Sequence, residues 1–127
     1  MHIKELFAKK TVFSFEVFPP KKTSPVEVIY DTLDELNGLA PDFISVTFGA
    51  GGSGNSKYAL DIASRIKDSG ITPMLHLPCI NFTKAEIDAA LDEAKARGIE
   101  NILALRGDIN PDILPVKECN ADEIKQR

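Results

Sequence analysis

Four short apolar stretches recur along the chain, separated by three longer stretches with helical periodicity. They are centred near Phe15, Ser45, Leu75 and Leu103, at steps of about thirty residues. Within them, hydrophobic residues alternate with small or polar ones, or run together as in a strand covered on both faces. Repeated β-α units of this kind predict a parallel sheet joined by right-handed helical crossovers.

Three helices are predicted between the strands from their start and stop signals. Ser24 and Thr83 each stand three residues before a Glu, which is the spacing of a capping box, and Gly38 and Gly98 are suitable helix ends. The expected helices cover roughly residues 24–38, 56–70 and 83–98. The apolar stripes assigned to the core are Val26, Ile29, Leu33 and Leu36 in the first helix, Ala59, Ile62, Ala63 and Ile66 in the second, and Ile87, Ala90, Leu91 and Ala94 in the third.

The two faces of the predicted sheet differ in polarity. Alternation assigns to the apolar, helix-covered face Phe13, Phe15, Val17, Ile44, Val46, Phe48, Leu75, Leu77, Leu103 and Leu105. It assigns to the other face Ser14, Glu16, Ser45, Thr47, Met74, His76, Ala104 and Arg106. The second face becomes more polar toward the carboxyl end of each strand, where α/β folds bind their ligands.

This polar face favours a barrel over an open sheet. Successive strands of a (β/α)₈ barrel direct such residues toward one central mouth, whereas a doubly wound sheet concentrates its ligand at a single switch point. The expected fold is therefore the α/β class, a (β/α)₈ TIM barrel. A complete barrel takes about 250 residues. Residues 1–127 are thus expected to be the N-terminal half of such a domain, truncated after about four β-α units.

A Rossmann-like dinucleotide-binding domain is the alternative fold. Residues 49–54 match G-x-G-x-x-G, follow a strand and precede a helix, which is the context that fingerprint requires. Against it, the motif falls on the second unit, and the next strand ends in residues 76–79 without an acidic side chain for a ribose. The other interpretation of residues 49–54 is a flexible loop over the barrel mouth.

Composition excludes several classes of protein. A net charge of -4 and a pI near 5.1 argue against nucleic-acid binding, which needs clustered Lys and Arg. No stretch approaches the roughly 18 apolar residues of a membrane span, and residues 1–10 have no secretory h-region, so a cytoplasmic location is expected. Cys79 and Cys119 show neither zinc-ligand nor disulfide spacing and are expected to be reduced thiols, with no metal site.

Each candidate site residue has a functional and an ordinary interpretation. Glu16 follows Phe15 and precedes residues 17–20, an apolar and aromatic setting that suits a general acid; the alternative is a carboxylate in solvent. His76 is a ligand contact or a hydrogen-bonded core histidine, and Thr47 a ligand contact or strand filler. Arg106 and Asp108 form a site or simply pair with each other. Their position at equivalent strand ends favours the functional interpretation.

Four segments in this order resemble successive signature segments of the methylenetetrahydrofolate reductase family. They are Phe-Glu-Val-Phe-Pro-Pro at 15–20, Ile-Ser-Val-Thr-Phe-Gly-Ala at 44–50, His-Leu-Pro-Cys at 76–79 and Leu-Arg-Gly-Asp at 105–108. The resemblance extends to about residue 111. It implies a (β/α)₈ barrel holding FAD, in which NADH or NADPH reduces the flavin. The flavin then passes hydride to 5,10-methylenetetrahydrofolate in a ping-pong sequence, giving 5-methyltetrahydrofolate.

The resemblance also implies roles for individual residues. Glu16 would be the general acid that helps open the folate ring to an iminium. Thr47 would lie beside the reactive part of the flavin, the nicotinamide and the substrate. Asp108 would sit between flavin and folate, tuning the flavin and binding the pterin. The remaining cofactor contacts would be Phe48, Ala50, His76, Arg106 and Gly107.

Three features depart from the family pattern: the residue at position 48, an unusually glycine-rich loop in the 50s and the length of the chain. Phe48 stands where a Tyr is common, so a hydroxyl contact to the cofactor is expected to be missing. The length of the chain leaves two expectations open: part of a reductase that is catalytic, and homo-oligomeric, in its full-length form, or a non-catalytic half-barrel that pairs to cover its edges. In either case, the isolated 127-residue chain is expected to have little or no activity.

Overall fold

Strands and helices alternate throughout the described part of the chain. The computed structural model describes residues 1–20, 24–48, 56–80 and 82–108. The strands are β1 (Ser14–Val17), β2 (Phe43–Val46), β3 (Thr72–Pro78) and β4 (Ile102–Leu105). The helices are α1 (Ile3–Phe7), α2 (Glu27–Asn37), α3 (Ser56–Asp68) and α4 (Lys84–Ala96). The four predicted strands and three predicted helices are confirmed, and α1 is an additional element.

The strands form one sheet in the order β1-β2-β3-β4, with every neighbouring pair parallel. Helices α2, α3 and α4 thus each connect two strands that are adjacent both in sequence and in space. This order has no reversal, whereas a doubly wound Rossmann sheet requires one at its switch point. The arrangement is that of consecutive units of a (β/α)₈ barrel. Residues 49–54, which carry the glycine-rich motif, lie outside the described residues.

The core lies between the helices and one face of the sheet. One hydrophobic cluster contains Ile62 and Ala63 of α3, Val46 of β2 and Leu75 of β3, all of them fully buried. Leu33 of α2 and the Ile87 and Ala94 pair of α4 complete the layer. The helix residues of this core belong to the stripes predicted from helical spacing, because burial of one face is what stabilises an amphipathic helix.

Only one of the two predicted capping boxes is present. In α4, Thr83 Oγ1 accepts from the Glu86 backbone N–H at 3.2 Å, and the Glu86 carboxylate accepts from the Thr83 N–H at 2.8 Å. The capping box predicted at Ser24 is wrong. Helix α2 begins three residues later, and its N-cap is Val26, with no side-chain cap. Backbone carbonyls of Pro25 and Val26 accept the first helical N–H groups instead, as in a turn of 3₁₀ type.

The face assignment predicted for β4 is also wrong. Leu103 pairs with His76, whereas Ile102 and Ala104 pair with the buried Leu75 and Leu77. Paired residues of parallel strands face the same side of the sheet. Ile102 and Ala104 therefore pack against the core, while Leu103 lies on the inner face, 42% exposed. The sequence Ile-Leu-Ala-Leu is apolar on both faces, so alternation alone could not decide which face meets the helices.

Helix α1 lies at the opposite end of the sheet from the candidate site. Ile3 is buried, and its N–H donates to Asn101 Oδ1 at 2.9 Å, while Asn101 Nδ2 donates to the Met1 carbonyl at 2.9 Å. The Phe7 ring meets Phe43, at the amino end of β2, edge-on with centroids 6.3 Å apart. The N-terminal segment therefore packs at the amino ends of the strands, away from their carboxyl ends.

Candidate functional site

The inner face of the sheet, opposite the helices, carries the polar side chains predicted from alternation on the first three strands. Glu16 pairs with Ser45, which pairs with Met74, so these three lie in one row across β1, β2 and β3. The Thr47 N–H donates to the Val17 carbonyl at 3.1 Å, extending the β1–β2 ladder past the end of β2. Continuing the β2–β3 register places Thr47 beside His76.

Glu16 and His76 are in direct contact. His76 Nε2 lies 3.4 Å from Glu16 Oε1, although β2 separates their strands. The His76 side chain is 12% exposed and the Glu16 side chain 48% exposed. Burial lowers the pKa of His76 below its usual 6.5, and the nearby Glu16 carboxylate opposes that effect. The Glu16 carboxyl thus occupies a half-exposed position beside His76, and its role as a general acid stays a prediction.

Thr47 has a buried hydroxyl that lacks a hydrogen bond. Its Oγ1 is inaccessible to solvent and has no partner among the described residues. A buried hydroxyl left unpaired costs about 1–3 kcal/mol, so such atoms in folded proteins call for an explanation. A polar group of a bound ligand at the inner face would supply the missing partner.

The ends of β3 and β4 are joined through backbone atoms. The Arg106 carbonyl accepts from the N–H groups of Cys79 and Ile80, at 3.2 and 2.9 Å. Gly107 follows with φ +81°, and a Cβ there would lie 2.7 Å from Pro78 Cβ. Only glycine fits this position without strain, because both the backbone conformation and the space exclude a side chain.

Alternation predicted that Arg106 lies on the inner face of β4, and this prediction is wrong. The strand ends at Leu105, which pairs with Pro78, and the inner-face positions of β4 are Leu103 and Leu105. Arg106 lies just past the strand, exposed, as does Asp108. Both residues are therefore at the carboxyl end of β4, as expected, but through the segment that follows the strand.

The remaining predicted cofactor contacts lie elsewhere. Phe48 is 2% exposed in the helix-side core, where its ring meets Phe82 edge-on with centroids 5.5 Å apart. Its role in lining a cofactor stays a prediction. Ala50 lies outside the described residues. Neither Ser45 nor Pro78 was selected from the sequence as a site residue. Ser45 is 7% exposed in the row between Glu16 and Met74, and Pro78 packs against Gly107. The register of the sheet is the signal that identifies both.

Residues 1–20, 24–48, 56–80 and 82–108 contain neither a cluster of metal ligands nor a membrane-spanning helix. There, no three His, Cys, Asp or Glu side chains are placed to hold one metal ion. No helix in those ranges is long and apolar enough to cross a membrane. Cys79 is buried, with its Sγ 3.9 Å from the Arg106 carbonyl oxygen, and Cys119 lies outside the described residues.

Comparison with known proteins identifies the family. The sequence model of methylenetetrahydrofolate reductase matches residues 2–124. The chain belongs to the methylenetetrahydrofolate reductase family. The family is a TIM-barrel family, and the parallel sheet with alternating helices corresponds to its first β-α units. The site at the carboxyl ends of the strands lies where TIM-barrel enzymes place their chemistry.

Relatives within the methylenetetrahydrofolate reductase family are similar over most of this chain. The Arabidopsis thaliana protein named methylenetetrahydrofolate reductase (NADH) 1 is 44% identical over 100 residues, covering 78% of this chain and 17% of that protein. The Escherichia coli (strain K12) 5,10-methylenetetrahydrofolate reductase is 38% identical over 99 residues, covering 77% and 33%. Methylenetetrahydrofolate reductase 1 of Schizosaccharomyces pombe is 38% identical over 117 residues, covering 91% and 18%. The chain thus spans between 17% and 33% of the length of these relatives.

Proposed function

We propose that this chain forms part of the site for FAD-dependent reduction of 5,10-methylenetetrahydrofolate to 5-methyltetrahydrofolate, with NADH or NADPH as reductant. The observation that carries the proposal is the unpartnered Thr47 hydroxyl, buried beside the Glu16–His76 pair at the carboxyl ends of the strands. Family membership supplies the reaction. The Arabidopsis relative is named for NADH, and the choice of nicotinamide for this chain is left to experiment.

The residues present fit a flavin. Thr47 Oγ1 lacks a partner among the described residues, and the edge of a flavin ring offers both N–H and carbonyl groups that would satisfy it. Thr47 and His76 would hold the cofactor on the inner face, with Arg106 and Gly107 at the end of β4. Phe48 and Ala50 complete the proposed set. When bound, FAD supplies the hydride chemistry, accepting from the nicotinamide and donating to the folate in two half-reactions.

Two carboxyl groups carry the proposed acid and charge chemistry. Glu16, half exposed at the mouth of the sheet, would donate a proton to the folate nitrogen as the five-membered ring opens. Asp108, exposed beyond the end of β4, would bind the pterin and stabilise positive charge that develops on the folate. Thr47 would also contact the substrate. The protein's share of catalysis in this proposal is orientation, proton transfer and local charge.

A non-catalytic half-barrel is the second candidate. Leu103 is 42% exposed on the inner face, and β1 and β4 are edges of the described sheet. Exposed apolar residues of β4 and open edge strands favour pairing with another chain. In this alternative the chain binds little. With either candidate, we expect the 127-residue chain alone to turn over little or no substrate. A homo-oligomeric state and a cytoplasmic location of the reductase stay predictions.

Flavin binding by the purified chain is the first test. Its absorbance spectrum is recorded as isolated and after dialysis against FAD, and affinity is measured from the quenching of flavin fluorescence. Thr47→Val, which removes the hydroxyl at nearly constant shape, should weaken binding by up to about tenfold, the value of one hydrogen bond. Thr72→Val is the matched control, because Thr72 lies in the same strand as His76 but at its amino end.

The same variant gives a readout that needs no cofactor. Removing an unpaired buried hydroxyl should raise the free energy of unfolding of Thr47→Val by about 1 kcal/mol. Higher stability together with weaker FAD binding supports the proposal. If the chain folds but binds no flavin, the result supports the non-catalytic half-barrel alternative. Equal losses of affinity in Thr47→Val and Thr72→Val contradict the placement of the flavin beside Thr47.

Reductase turnover tests the role of Glu16. In a protein active with folate, Glu16→Gln should abolish folate reduction and leave flavin reduction by the nicotinamide intact, because only the first needs the proton. Turnover by the purified 127-residue chain with NADH and added FAD would contradict its expected inactivity. Loss of both half-reactions in Glu16→Gln would contradict the assignment of Glu16 as the acid.

A further inference from the structure

The contact between Glu16 and His76 crosses an intervening strand. β1 and β3 both neighbour β2 and lie about 9–10 Å apart, two strand spacings. A separation of 3.4 Å between Glu16 Oε1 and His76 Nε2 therefore requires both side chains to lean across β2 toward each other. The β2 residue in the row of Glu16 is Ser45, whose small side chain leaves room for that approach.

Among the described residues of the neighbouring strands, His76 faces one charged group. The inner-face positions beside it on β2 are Ser45 and Thr47, and its partner on β4 is Leu103, none of which is charged at neutral pH. From β1 it meets Glu16. Burial lowers the pKa of His76, so its imidazole is mainly neutral near pH 7 and carries one N–H.

We propose that His76 is a positioning residue for Glu16, whose Nε2–H donates to Glu16 Oε1 and holds the carboxyl in one orientation at the mouth of the sheet. The functional part of this inference rests on the proposed function of Glu16 as a proton donor. With Oε1 occupied by the Nε2–H, the transferable proton of the neutral acid resides on Oε2. After that proton leaves, the carboxylate keeps the Nε2–H, and a hydrogen bond to a charged acceptor is stronger than one to a neutral acceptor.

The orientation of Glu16 can be measured in the purified chain without any ligand. Three-bond NMR couplings of the Glu16 side chain report whether it occupies one rotamer or several. We expect one rotamer in the parent chain, averaging in His76→Leu, and recovery in His76→Gln, whose amide N–H can donate in place of the imidazole. An averaged Glu16 in the parent, or an equally ordered Glu16 in His76→Leu, would overturn the proposal.

The second measurement is the titration of His76 by NMR, which is tractable because the chain contains two histidines, His2 and His76. The Glu16 carboxylate favours the protonated imidazole, so Glu16→Gln should lower the pKa of His76 further. Glu35→Gln, on the exposed side of α2, is the matched control and should leave it unchanged. An unchanged pKa in Glu16→Gln would show that the contact does not form.

These two readouts separate the failure of this inference from the failure of the proposed function. Neither requires flavin or folate, so a chain that binds no flavin still decides the contact. The titration uses Glu16→Gln rather than a His76 variant, and it therefore remains decisive if His76→Leu does not fold.

Discussion

Replacing Gly107 with Ala tests how tightly the segment after β4 packs against the end of β3. Two costs are expected. Gly107 has φ +81°, and an L residue in the left-handed region costs about 1–2 kcal/mol. The new Cβ would also lie 2.7 Å from Pro78 Cβ, a contact that real structures do not show. Pro78 belongs to a rigid ring, and the adjacent Arg106 carbonyl is held by two N–H groups, so relief requires moving backbone.

Gly70→Ala is the control that separates the two costs. Gly70 has φ +91°, but a Cβ there would have no atom within 4 Å. Both substitutions stiffen the unfolded chain to the same extent, so that effect cancels in the comparison. Overpacking costs about 1–3 kcal/mol, and Gly107→Ala should therefore be more destabilising than Gly70→Ala by about that amount.

Urea unfolding followed by circular dichroism measures both variants against the parent. The comparison is valid if the slope of free energy against urea is the same in all three, since the slope reports the surface exposed on unfolding. Equal losses in the two variants would refute the steric argument. That result would mean the strand end can shift away from Pro78 at little cost.

Thr83→Ala should lower the free energy of unfolding by about 1 kcal/mol through loss of the α4 capping box, whereas Ser24→Ala should change it by less than about 0.5 kcal/mol because Ser24 caps no helix. Equal effects in urea melts would contradict this difference. Because the folded-state pKa of His76 lies below 6.5, the unfolded chain binds more protons there. Stability should thus rise with pH through the window just below 6.5 and be lost as the pH falls. Urea midpoints on either side of that window should show this slope in the parent and in His2→Gln but a smaller slope in His76→Gln; an unchanged slope in His76→Gln would exclude His76 as its source.

The local pattern of apolar and polar residues was sufficient to predict the four strands and the helices α2, α3 and α4. Burial of one face imposes a period of 3.6 on helices and of 2 on strands, so the strands around Phe15 and Leu75 and the helix stripe through Ile62 could be predicted before any contact was known. The Thr83 capping box was predictable for the same reason, because it joins residues three apart in the chain. Parallel sheet order followed from the regular spacing of the units.

Short helices and caps without such a signal were harder to predict. Helix α1 has five residues and is held by Asn101, nearly a hundred positions away, so no local window contains its partner. Ser24 carries a capping-box sequence, but the carbonyls of Pro25 and Val26 accept the first N–H groups of α2 in its place. In both cases the backbone N–H groups of the helix are bonded to acceptors that the sequence pattern does not indicate.

The amino-acid sequence was enough to predict the four strands, the helices α2, α3 and α4, the strand ends that carry polar groups and the resemblance to a reductase family, because these depend on the identity and spacing of nearby residues. The position of Leu103 on the inner face beside His76 depends on pairing with β3, since Ile-Leu-Ala-Leu is apolar on both sides and carries no alternation that could set its face. The approach of Glu16 to within 3.4 Å of His76 likewise arises from the folded sheet. That contact spans two strand spacings and depends on sheet register and on the small Ser45 between them, neither of which any local window of the chain contains.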